Sequence, residues 1–410
     1  MAFRLSFSGS VKNCEVGLTP SKSISNRALI IQALCEKPFQ IENLSTSTDT
    51  EHLQAALKSK SDVIDVYDAG TSFRFLTSYF AIKPGSVLLT GSARMKLRPI
   101  GPLVDSLRKL GASIEYAEES GFPPLRISGK KLLGGEVSID RSLSSQFVSS
   151  LLMIAPLFEK GLTIHLSGRP SSDSFLMMTL QMMEYFGVEA DRTDNRIIIL
   201  PQKYSADTFF VESDWSAASY WYSLCALNPG SEFILYGLNN ESFQGDRIIA
   251  DIMQDFGVQT KFENGRILIS SDYEKLSDEV PDFKFDFTSN PDLVMTIAVL
   301  CAAKGIHGTF TGVSSLRIKE SDRLLALKSE LGKCGVEVVI TENECKVVPG
   351  SLFKQPGVIN TFNDHRIAMA FAPLASVLDS ISFDNIDVVA KSYPEFWDQM
   401  EACGLKLNEE

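Results

Sequence analysis

The sequence has little that would suit a nucleic-acid-binding, membrane or disulfide-built protein. Its 410 residues carry 39 Lys and Arg against 51 Asp and Glu, a formal net charge of −12, and so acidic a chain is not expected to bind nucleic acid. The longest apolar run, near residues 293–303, is too short to span a bilayer. Residues 1–7 lack the apolar core of a secretion signal. We therefore expect a protein that meets neither nucleic acid nor membrane.

The seven cysteines show no paired spacing in the sequence. Three of them, Cys35, Cys225 and Cys301, lie within apolar helical stretches. We interpret them as buried thiols of a cytoplasmic protein, because thiols stay reduced in that compartment.

What the sequence does contain is the composition of a globular protein with more than one core. Hydrophobic residues make up 44% and charged residues 22%, as in ordinary folded domains. A chain of 410 residues exceeds the size at which one hydrophobic core stops growing. Two domains are therefore expected.

A repeated pattern runs along the chain. A helix that opens on a small or polar residue is followed by a Gly turn and a strand; an amphipathic helix, a second Gly and two short strands then complete the unit. Equivalent helix starts at residues 71, 144, 216, 292 and 365 lie 72 to 76 residues apart, whereas the start at residue 23 precedes the next by only 48. The first unit has therefore lost about two strands, which would have fallen in residues 58–65.

Six such units predict an α/β (α+β) protein with two lobes of three βαβαββ-type repeats each. Each lobe would bury one helix per unit beneath short sheets. The last copy, at residues 394–404, is cut short by the C-terminus. We expect a strand at residues 3–8 to join the C-terminal lobe, so that residues 1–19 with 214–410 form one lobe and residues 20–213 form the other.

Basic residues stand beside small hydrogen-bonding residues in six separated segments. In an acidic chain, cations that converge would form a site for small, multiply charged anions, which Arg binds bidentately. The segments are Ser21-Lys22-Ser23 with Arg27, Asp68-Ala69-Gly70-Thr71 with Arg74, residues 94–98, residues 316–323, Asp364-His365-Arg366, and residues 391–394.

Each residue of interest also fits a plainer structural role when taken alone. Asp292 fits a helix N-cap and Glu320 an acid at a helix start. Lys22 fits an exposed loop cation. The run Ser144-Ser145-Gln146 fits a helix cap as well as it fits a phosphate site.

Together these segments resemble the enolpyruvyl transferase family. Residues 18–27, Leu-Thr-Pro-Ser-Lys-Ser-Ile-Ser-Asn-Arg, are similar to the N-terminal signature of that family. Further segments resemble the branch that acts on 3-phosphoshikimate: residues 69–74, 98–100, 144–146, 319–323 and 364–369. The resemblance covers essentially the whole chain.

The resemblance implies a two-domain inside-out α/β barrel that closes on its substrates. It implies transfer of the enolpyruvyl group of phosphoenolpyruvate to the 5-hydroxyl of 3-phosphoshikimate, with release of phosphate, in the shikimate pathway to aromatic amino acids. No metal and no organic cofactor are implied. We expect a cytoplasmic monomer whose partners are these two small anions.

The same resemblance implies roles for individual residues. Asp292 would take the hydroxyl proton, Glu320 would deliver a proton to the methylene carbon, and Lys22 would stabilise charge at the bridging oxygen. The residues implied for 3-phosphoshikimate are Lys22, Ser23, Arg27, Ser144, Ser145, Gln146, Ser172, Asp292 and Lys319. Those implied for phosphoenolpyruvate are Lys22, Gly70, Arg98, Gln146, Arg323, Arg366 and Lys391. His365 would either orient the leaving phosphate or brace Asp364.

Two other functions stay open at the level of the sequence. One is the sister reaction on UDP-N-acetylglucosamine, although residues 94–98 lack the cysteine expected there. The other is an inactive anion-binding relative. It is favoured by the shortened first unit and by departures from the family pattern at Asp68 and Ser315, and disfavoured by the presence of both Asp292 and Glu320. Leu97 and Phe175 depart from the family pattern as well.

Overall fold

The chain folds into two compact units in the computed structural model, which describes residues 2–7, 11, 13–142, 144–271 and 282–409. The terminal unit comprises Met1–Pro20 and Glu212–Glu410, and the middle unit comprises Ser21–Val211. No helix among the described residues is both long and apolar enough to cross a membrane.

The change-over between the units differs by a few residues from the expected one. Pro20 pairs with Ser213 in an antiparallel bridge, and the Ser213 hydroxyl donates to the Leu18 carbonyl over 3.1 Å. The side-chain amide of Gln244 donates to Glu212 and to the Ser213 carbonyl. Pro20, Glu212 and Ser213 were expected in the middle unit, and these bonds hold them in the terminal unit instead.

Elements are numbered along the chain. The terminal unit begins with β1 (Phe3–Phe7) and β2 (Asn13–Gly17); Ser8, which we expected in the first strand, lies outside the described residues. The middle unit then contains α1 (Lys22–Leu34), β3 (Gln40–Glu42), α2 (Thr48–Lys58), β4 (Val63–Asp65), α3 (Gly70–Ile82), β5 (Gly85–Thr90), α4 (Ala93–Lys96), α5 (Gly101–Lys109), β6 (Ser113–Tyr116), β7 (Leu125–Gly129), β8 (Gly135–Asp140), α6 (Ser145–Ile154), β9 (Leu162–Ser167), α7 (Asp173–Tyr185), β10 (Asp191–Thr193), β11 (Arg196–Ile199) and β12 (Thr208–Phe210).

Two sheets of the middle unit have the same four-stranded topology. Their orders are β4-β5-β7-β6 and β8-β9-β11-β10, and in each the first pair is parallel and the other pairs are antiparallel. The third sheet contains only the parallel pair β12 and β3. Within the described part of this unit, the first repeat therefore lacks the two hairpin strands that its short spacing predicted to be missing.

The terminal unit continues after the second crossing with the remaining elements. Its helices and strands are α8 (Trp215–Leu227), β13 (Glu232–Tyr236), α9 (Ile249–Ile252), β14 (Val258–Glu263), β15 (Arg266–Ser271), β16 (Phe283–Asp286), α10 (Val294–Lys304), β17 (Gly308–Thr311), α11 (Arg323–Lys333), β18 (Glu337–Ile340), β19 (Glu344–Val348), α12 (His365–Phe371), β20 (Ile381–Phe383), α13 (Phe396–Ala402) and β21 (Leu405–Glu409). Short 3₁₀ turns cover Gly245–Ile248, Met253–Phe256, Pro291–Leu293, Ser314–Ile318, Ala372–Ser376 and Asp387–Lys391.

The N-terminal strand completes the sheet of the last repeat. Two sheets, β2-β13-β15-β14 and β16-β17-β19-β18, repeat the four-stranded topology of the middle unit. In the third, β1 lies antiparallel between β20 and β21, and Ile359 makes a parallel bridge to Phe383. β21 and β1 thus take the two hairpin positions, so the repeat that the C-terminus cuts short is finished by the other end of the chain.

Helices that are buried on all sides form the core of the terminal unit. Every residue of α12 is buried, and so is every residue of α10 from Val294 to Ala302. A predominantly apolar helix such as α10 is stable only when it is surrounded. α10 ends at Gly305, whose φ of 70° is a left-handed conformation that glycine adopts without steric cost.

Several predicted helices are shorter or less regular than expected. The helix that the repeat predicts from residue 365 leaves the α conformation after Phe371 and continues as the 3₁₀ turn Ala372–Ser376. Pro373 causes this change, because it has no N–H for an α-helical bond. The amphipathic helix expected later in the unit that starts at residue 216 is interrupted as well, with α9 between two 3₁₀ turns.

Two cysteines are paired, contrary to the sequence-based interpretation. Cys14 on β2 and Cys403 at the end of α13 form a disulfide, with their Cα atoms 5.6 Å apart although 389 residues separate them. A pair so distant in the chain leaves no local spacing to recognise. Cys225 and Cys301 are buried thiols as expected, whereas Cys35 is only half-buried.

Replacing Leu5 should test the role of β1. Leu5 is fully buried between β20 and β21, so Leu5→Ala is expected to lower the free energy of unfolding of the terminal unit by about 2–5 kcal/mol. Urea denaturation followed by tryptophan fluorescence measures the change, since Trp215, Trp221 and Trp397 all lie in this unit. Leu325→Ala, at a position 55% exposed, is the matched control, and equal effects of the two substitutions would contradict the assignment.

Candidate active-site residues in each unit

Four helix starts of the middle unit are joined by side-chain bonds. Lys22, the first residue of α1, forms a 3.1 Å ion pair with Asp49 at the start of α2. The Ser72 hydroxyl of α3 donates to the Asp49 carbonyl over 3.0 Å. The side-chain amide of Gln146, in α6, donates to Thr71 of α3 over 3.0 Å. Since a helix start carries partial positive charge and unsatisfied N–H groups, this convergence favours anions.

Arg27 is a buried cation with neutral hydrogen-bond partners. Its guanidinium donates to the Thr179 hydroxyl and to the carbonyls of Ser23 and Phe175, at 2.7 to 3.1 Å, and lies over the ring of Phe75. Burial lowers the pKa of Arg27 to about 9. A buried charge is costly without a counter-charge, so Arg27 is suited to meet an anionic ligand.

Gly70 lies directly beneath the guanidinium of Arg98. A Cβ at this position would stand 2.4 Å from Nη1 of Arg98, so only glycine allows the approach. Arg74 strengthens the turn by donating to the carbonyls of Gly70 and Pro99, at 3.1 and 3.0 Å. The start of α3 is thus accompanied by two buried arginines, Arg74 from segment 69–74 and Arg98 from segment 94–98.

The serines expected to bind phosphate lie at the starts of α6 and α7. Ser144 is the N-cap of α6, and its hydroxyl accepts from the backbone N–H of Gln146 over 3.2 Å; Ser145 is buried behind it. Ser172 precedes α7 in a left-handed conformation, with φ 57°, and its side chain makes no cap bond. Capping therefore accounts for Ser144 but not for Ser172.

Arg323 organises three carboxylates of the terminal unit. Its Nε and Nη2 donate to Asp364 over 2.8 and 3.2 Å, its Nη1 donates to Asp292 over 3.0 Å, and its Nη2 also donates to Glu320 over 2.9 Å. Arg323 and Asp364 are buried. One guanidinium thereby fixes the positions of both acids that the sequence singled out.

Asp292 is an ionised carboxylate among cations rather than a helix cap. Besides Arg323, it accepts from Arg366 over 2.8 Å and lies 3.8 Å from Nζ of Lys319. Burial alone would raise the pKa of Asp292, but Arg366, Lys319 and Arg323 together outweigh it and lower the pKa well below its usual value. Burial lowers the pKa of Lys319, a shift that Asp292 opposes.

The remaining predicted residues lie close to this cluster. The Arg366 guanidinium also donates to the Tyr220 hydroxyl over 3.3 Å, and burial raises the pKa of Tyr220 to about 12. His365 is buried, with Nδ1 3.7 Å from an Asp364 oxygen. Lys391 ends a 3₁₀ turn that packs against α12, the helix of Arg366.

The two units differ in how their buried helices begin. In the terminal unit, Asp214 caps α8 and Asp364 caps α12, each accepting backbone N–H bonds. In the middle unit the corresponding caps of α1, α3 and α6 are Ser21, Ala69 and Ser144. These three caps of the middle unit thus carry no negative charge, whereas the two caps of the terminal unit are carboxylates.

Sequence reasoning missed two acidic residues of these sites. Asp49 pairs with Lys22, and Asp246 is a buried carboxylate bonded to Ser216 and Asn290. Neither residue belongs to the six basic segments identified in the sequence. A polar residue in the first turn of a predicted helix was the only available signal for Asp49.

The departures from the family pattern have structural consequences of different kinds. Asp68 accepts a bond from the Ser92 hydroxyl, and Leu97 is exposed. Phe175 contributes its carbonyl to Arg27. Ser315 is buried, and its hydroxyl has no partner among the described residues.

Comparison with protein families places these motifs in one family along nearly the whole chain. The model described as EPSP synthase (3-phosphoshikimate 1-carboxyvinyltransferase) matches residues 9–60 and 54–400. The chain belongs to the EPSP synthase family. The resemblance to enolpyruvyl transferases of the 3-phosphoshikimate branch is thereby confirmed.

Individual relatives and solved structures agree with membership of the EPSP synthase family. The chain is 42% identical over 418 residues to a 3-phosphoshikimate 1-carboxyvinyltransferase of Bacteroides fragilis (strain YCH46), with all of both chains covered. It is 36% identical to one from Methanospirillum hungatei, covering 93% of this chain and 94% of the relative. An EPSP synthase structure from Acinetobacter baumannii, only 20% identical, superposes over both full chains with a TM-score of 0.80. That structural likeness confirms a two-domain α/β fold.

Removing the charge of Asp364 should destabilise the terminal unit strongly. Asp364→Asn leaves the buried Arg323 with a weaker partner, and such losses cost about 3–5 kcal/mol. The exposed pair of Asp251 with Arg247 supplies the control, because Asp251→Asn should cost less than about 1 kcal/mol. Denaturant midpoints of the two variants that coincide would contradict this ranking.

Proposed function

We propose that this protein transfers the carboxyvinyl group of phosphoenolpyruvate to the 5-hydroxyl of 3-phosphoshikimate and releases inorganic phosphate. The chain is similar over its full length to 3-phosphoshikimate 1-carboxyvinyltransferases, and it contains two complementary sets of groups. This combination is the observation that carries the proposal. One set is cationic and suited to anionic substrates. The other holds buried carboxylates suited to proton transfer.

The cations and helix starts of the middle unit would hold 3-phosphoshikimate. Arg27 has neutral hydrogen-bond partners in the structure, so a phosphate or hydroxyl group of the substrate would improve its electrostatic environment. Ser144, Ser145 and Ser172 stand at the starts of α6 and α7, where N–H groups and hydroxyls can bind phosphate oxygens. Ser23, Lys22 and Gln146 complete the proposed set, with Asp292 and Lys319 from the terminal unit.

Phosphoenolpyruvate would be held by cations from both units. From the middle unit we assign Lys22, Gly70, Arg98 and Gln146; from the terminal unit we assign Arg323, Arg366 and Lys391. Arg323 has five N–H donors, and its bonds to Asp364, Asp292 and Glu320 leave only one of them, on Nη1. Its share of substrate binding would therefore be small beside its role in holding the two acids.

We assign to Asp292 the removal of the proton from the substrate hydroxyl. Arg366, Lys319 and Arg323 keep its pKa low in this structure, which makes it a weak base. Substrate phosphate and carboxylate groups that engage the same cations would weaken their hold on Asp292 and raise its basicity. Binding of the anions would thus activate the base at the moment when the hydroxyl arrives.

The chemical steps need only groups that these residues supply. The substrate hydroxyl oxygen bonds to C2 of phosphoenolpyruvate while its proton passes to Asp292 and C3 receives a proton from Glu320. Lys22 stabilises charge at the bridging oxygen of the tetrahedral intermediate. Loss of a C3 proton to Glu320, cleavage of the C2–O bond and transfer of the proton held by Asp292 to the departing phosphate then give the enol ether and inorganic phosphate. Every bond change is balanced without a metal or organic cofactor, and none is proposed.

Phosphate release on mixing the two substrates tests the proposed function. The purified protein should release phosphate only when phosphoenolpyruvate and 3-phosphoshikimate are both present. Release with UDP-N-acetylglucosamine in place of 3-phosphoshikimate would instead assign the sister activity. No release with either acceptor, in a protein that still binds the anions, would assign an inactive relative. Cytoplasmic location and a monomeric state stay predictions from the sequence.

The substitution Asp292→Ala should abolish most turnover while sparing substrate binding. Loss of a general base typically costs about 10²–10⁴-fold, so we expect kcat to fall at least about a hundredfold, and the Kd of 3-phosphoshikimate to change much less. Phosphate release and calorimetric binding measure the two quantities. Asp255→Ala, at an exposed position in the same unit, is the control. An unchanged kcat would remove Asp292 from the catalytic residues.

The substitution Gly70→Ala should weaken phosphoenolpyruvate selectively. The added methyl group would collide with the guanidinium of Arg98, 2.4 Å away, and loss of a bond to a charged group costs about 1.5–3 kcal/mol. We expect KM for phosphoenolpyruvate to rise at least about tenfold, with little change in KM for 3-phosphoshikimate. Gly332→Ala, also at a helical glycine but with nothing within 4 Å, is the control. Equal rises in both KM values would contradict the assignment of Gly70.

A further inference from the structure

A further buried carboxylate, Asp246, lies behind Asp292 and takes no part in the steps above. Asp246 is the second residue of the 3₁₀ turn Gly245–Ile248 and is only 4% exposed. It accepts a hydrogen bond from the Ser216 hydroxyl of α8 over 2.5 Å and another from the side-chain amide of Asn290 over 3.0 Å. Both of these donors are neutral.

The bond to Asn290 connects Asp246 with the position of Asp292. Asn290 directly precedes the turn Pro291–Leu293, and its carbonyl accepts from the Leu293 N–H over 3.2 Å. Its own N–H donates to Phe287 over 3.1 Å. Asp246 therefore anchors the residue from which the turn carrying Asp292 begins.

The charges around Asp246 are few and of both signs. Burial raises the pKa of Asp246 to about 6, and Asp292 adds to this rise, whereas Ser216, Asn290 and Arg366 oppose it. Arg247, the neighbouring cation in the chain, is directed away and bonds to Asp251 and Asn240. Asp214, the cap of α8, acts on Arg366. The groups that bear on Asp246 are thus mainly Asp292 and Arg366.

We propose that Asp246 is a positioning residue, which fixes Asn290 and whose negative charge keeps Asp292 basic enough to take the substrate proton. This inference rests on the proposed function. Three cations lower the basicity of Asp292, whereas Glu320 raises it. Asp246, which interacts electrostatically with Asp292, supplies a second negative charge against these cations. The hydrogen bonds alone do not call for a charge, since an amide oxygen accepts from Asn290 equally well.

The substitution Asp246→Asn separates the effect of the negative charge of Asp246 from its effect on the position of Asn290. The asparagine can accept from Asn290 and donate to the Ser216 oxygen, so the turn should stay in place while the charge is lost. We expect kcat to fall about tenfold, less than the roughly 10²–10⁴-fold expected for loss of the base itself, with both KM values within about twofold. Asp255→Asn, an exposed carboxamide change in the same unit, should leave kcat unchanged.

The pH profile supplies a readout that a purely structural role would not move. Protonation of Asp246 in the wild type, around its pKa of about 6, removes the same charge as the substitution does. The ratio of wild-type to Asp246→Asn kcat should therefore be large above that pH and approach one below it. Titration of the substrate phosphates affects both proteins alike and cancels in the ratio.

Stability should change in the opposite direction to activity. The pKa of Asp246 is raised on folding from 3.8 to about 6, so the folded state loses stability as the pH rises through that interval. Asp246→Asn removes this cost, and its melting temperature at about pH 8 should equal or exceed that of the wild type. A less active but equally or more stable variant is the expected combination.

The outcomes distinguish this inference from the proposed function. A wild-type protein that releases no phosphate from the two substrates overturns the function, and this inference with it. With an active wild type, a variant whose kcat matches it, a kcat ratio that does not vary with pH, or a lowered melting temperature at about pH 8 overturns the inference alone. A pH-dependent ratio in a stable variant supports it.

Discussion

The positive ends of buried helices are the constraint on which the candidate site depends. A helix start exposes unpaired N–H groups and partial positive charge, and each unit brings several such starts together. In the middle unit, α1, α2, α3 and α6 are tied to one another through Lys22, Asp49, Ser72, Thr71 and Gln146. A repeat that buries one helix per unit places these starts near each other without any dedicated binding loop.

The terminal unit uses the same arrangement for different chemistry because its caps are acidic. Asp214 and Asp364 compensate their own helices, and Arg323 then binds Asp364, Asp292 and Glu320 together. Buried carboxylates of this kind are held only where cations and hydrogen bonds offset the cost of desolvation. The ion-pair network therefore both supports the fold here and places the two acids to which we assign proton transfer. Asp246 extends this network by one layer, at a cost to stability that its proposed role explains.

Much of the architecture could be predicted because it repeats. The intervals of 72 to 76 residues, and the short first interval of 48, predicted the repeats and the missing hairpin that the two-stranded sheet of β12 and β3 confirms. The sequence predicted that the N-terminal strand joins the C-terminal lobe, but it did not predict the strands with which β1 pairs. Phe3 pairs with Glu409 and Phe383, which lie at the opposite end of the chain. The Cys14–Cys403 disulfide was missed for the same reason.

The sequence by itself determined which residue types were available and in what order: lysine and arginine beside serine, glycine and acid, at starts of predicted helices. That was enough to indicate the family and to name Lys22, Arg27, Asp292 and Arg366. Only the tertiary structure decided which charges meet. It showed that Asp292 is bound by Arg323 and Arg366 rather than capping a helix, that Arg27 has only neutral hydrogen-bond partners, and that Asp246 stands behind the turn of Asp292. The physical reason is that electrostatic energy depends on distance and burial, which the order of residues along a chain does not contain.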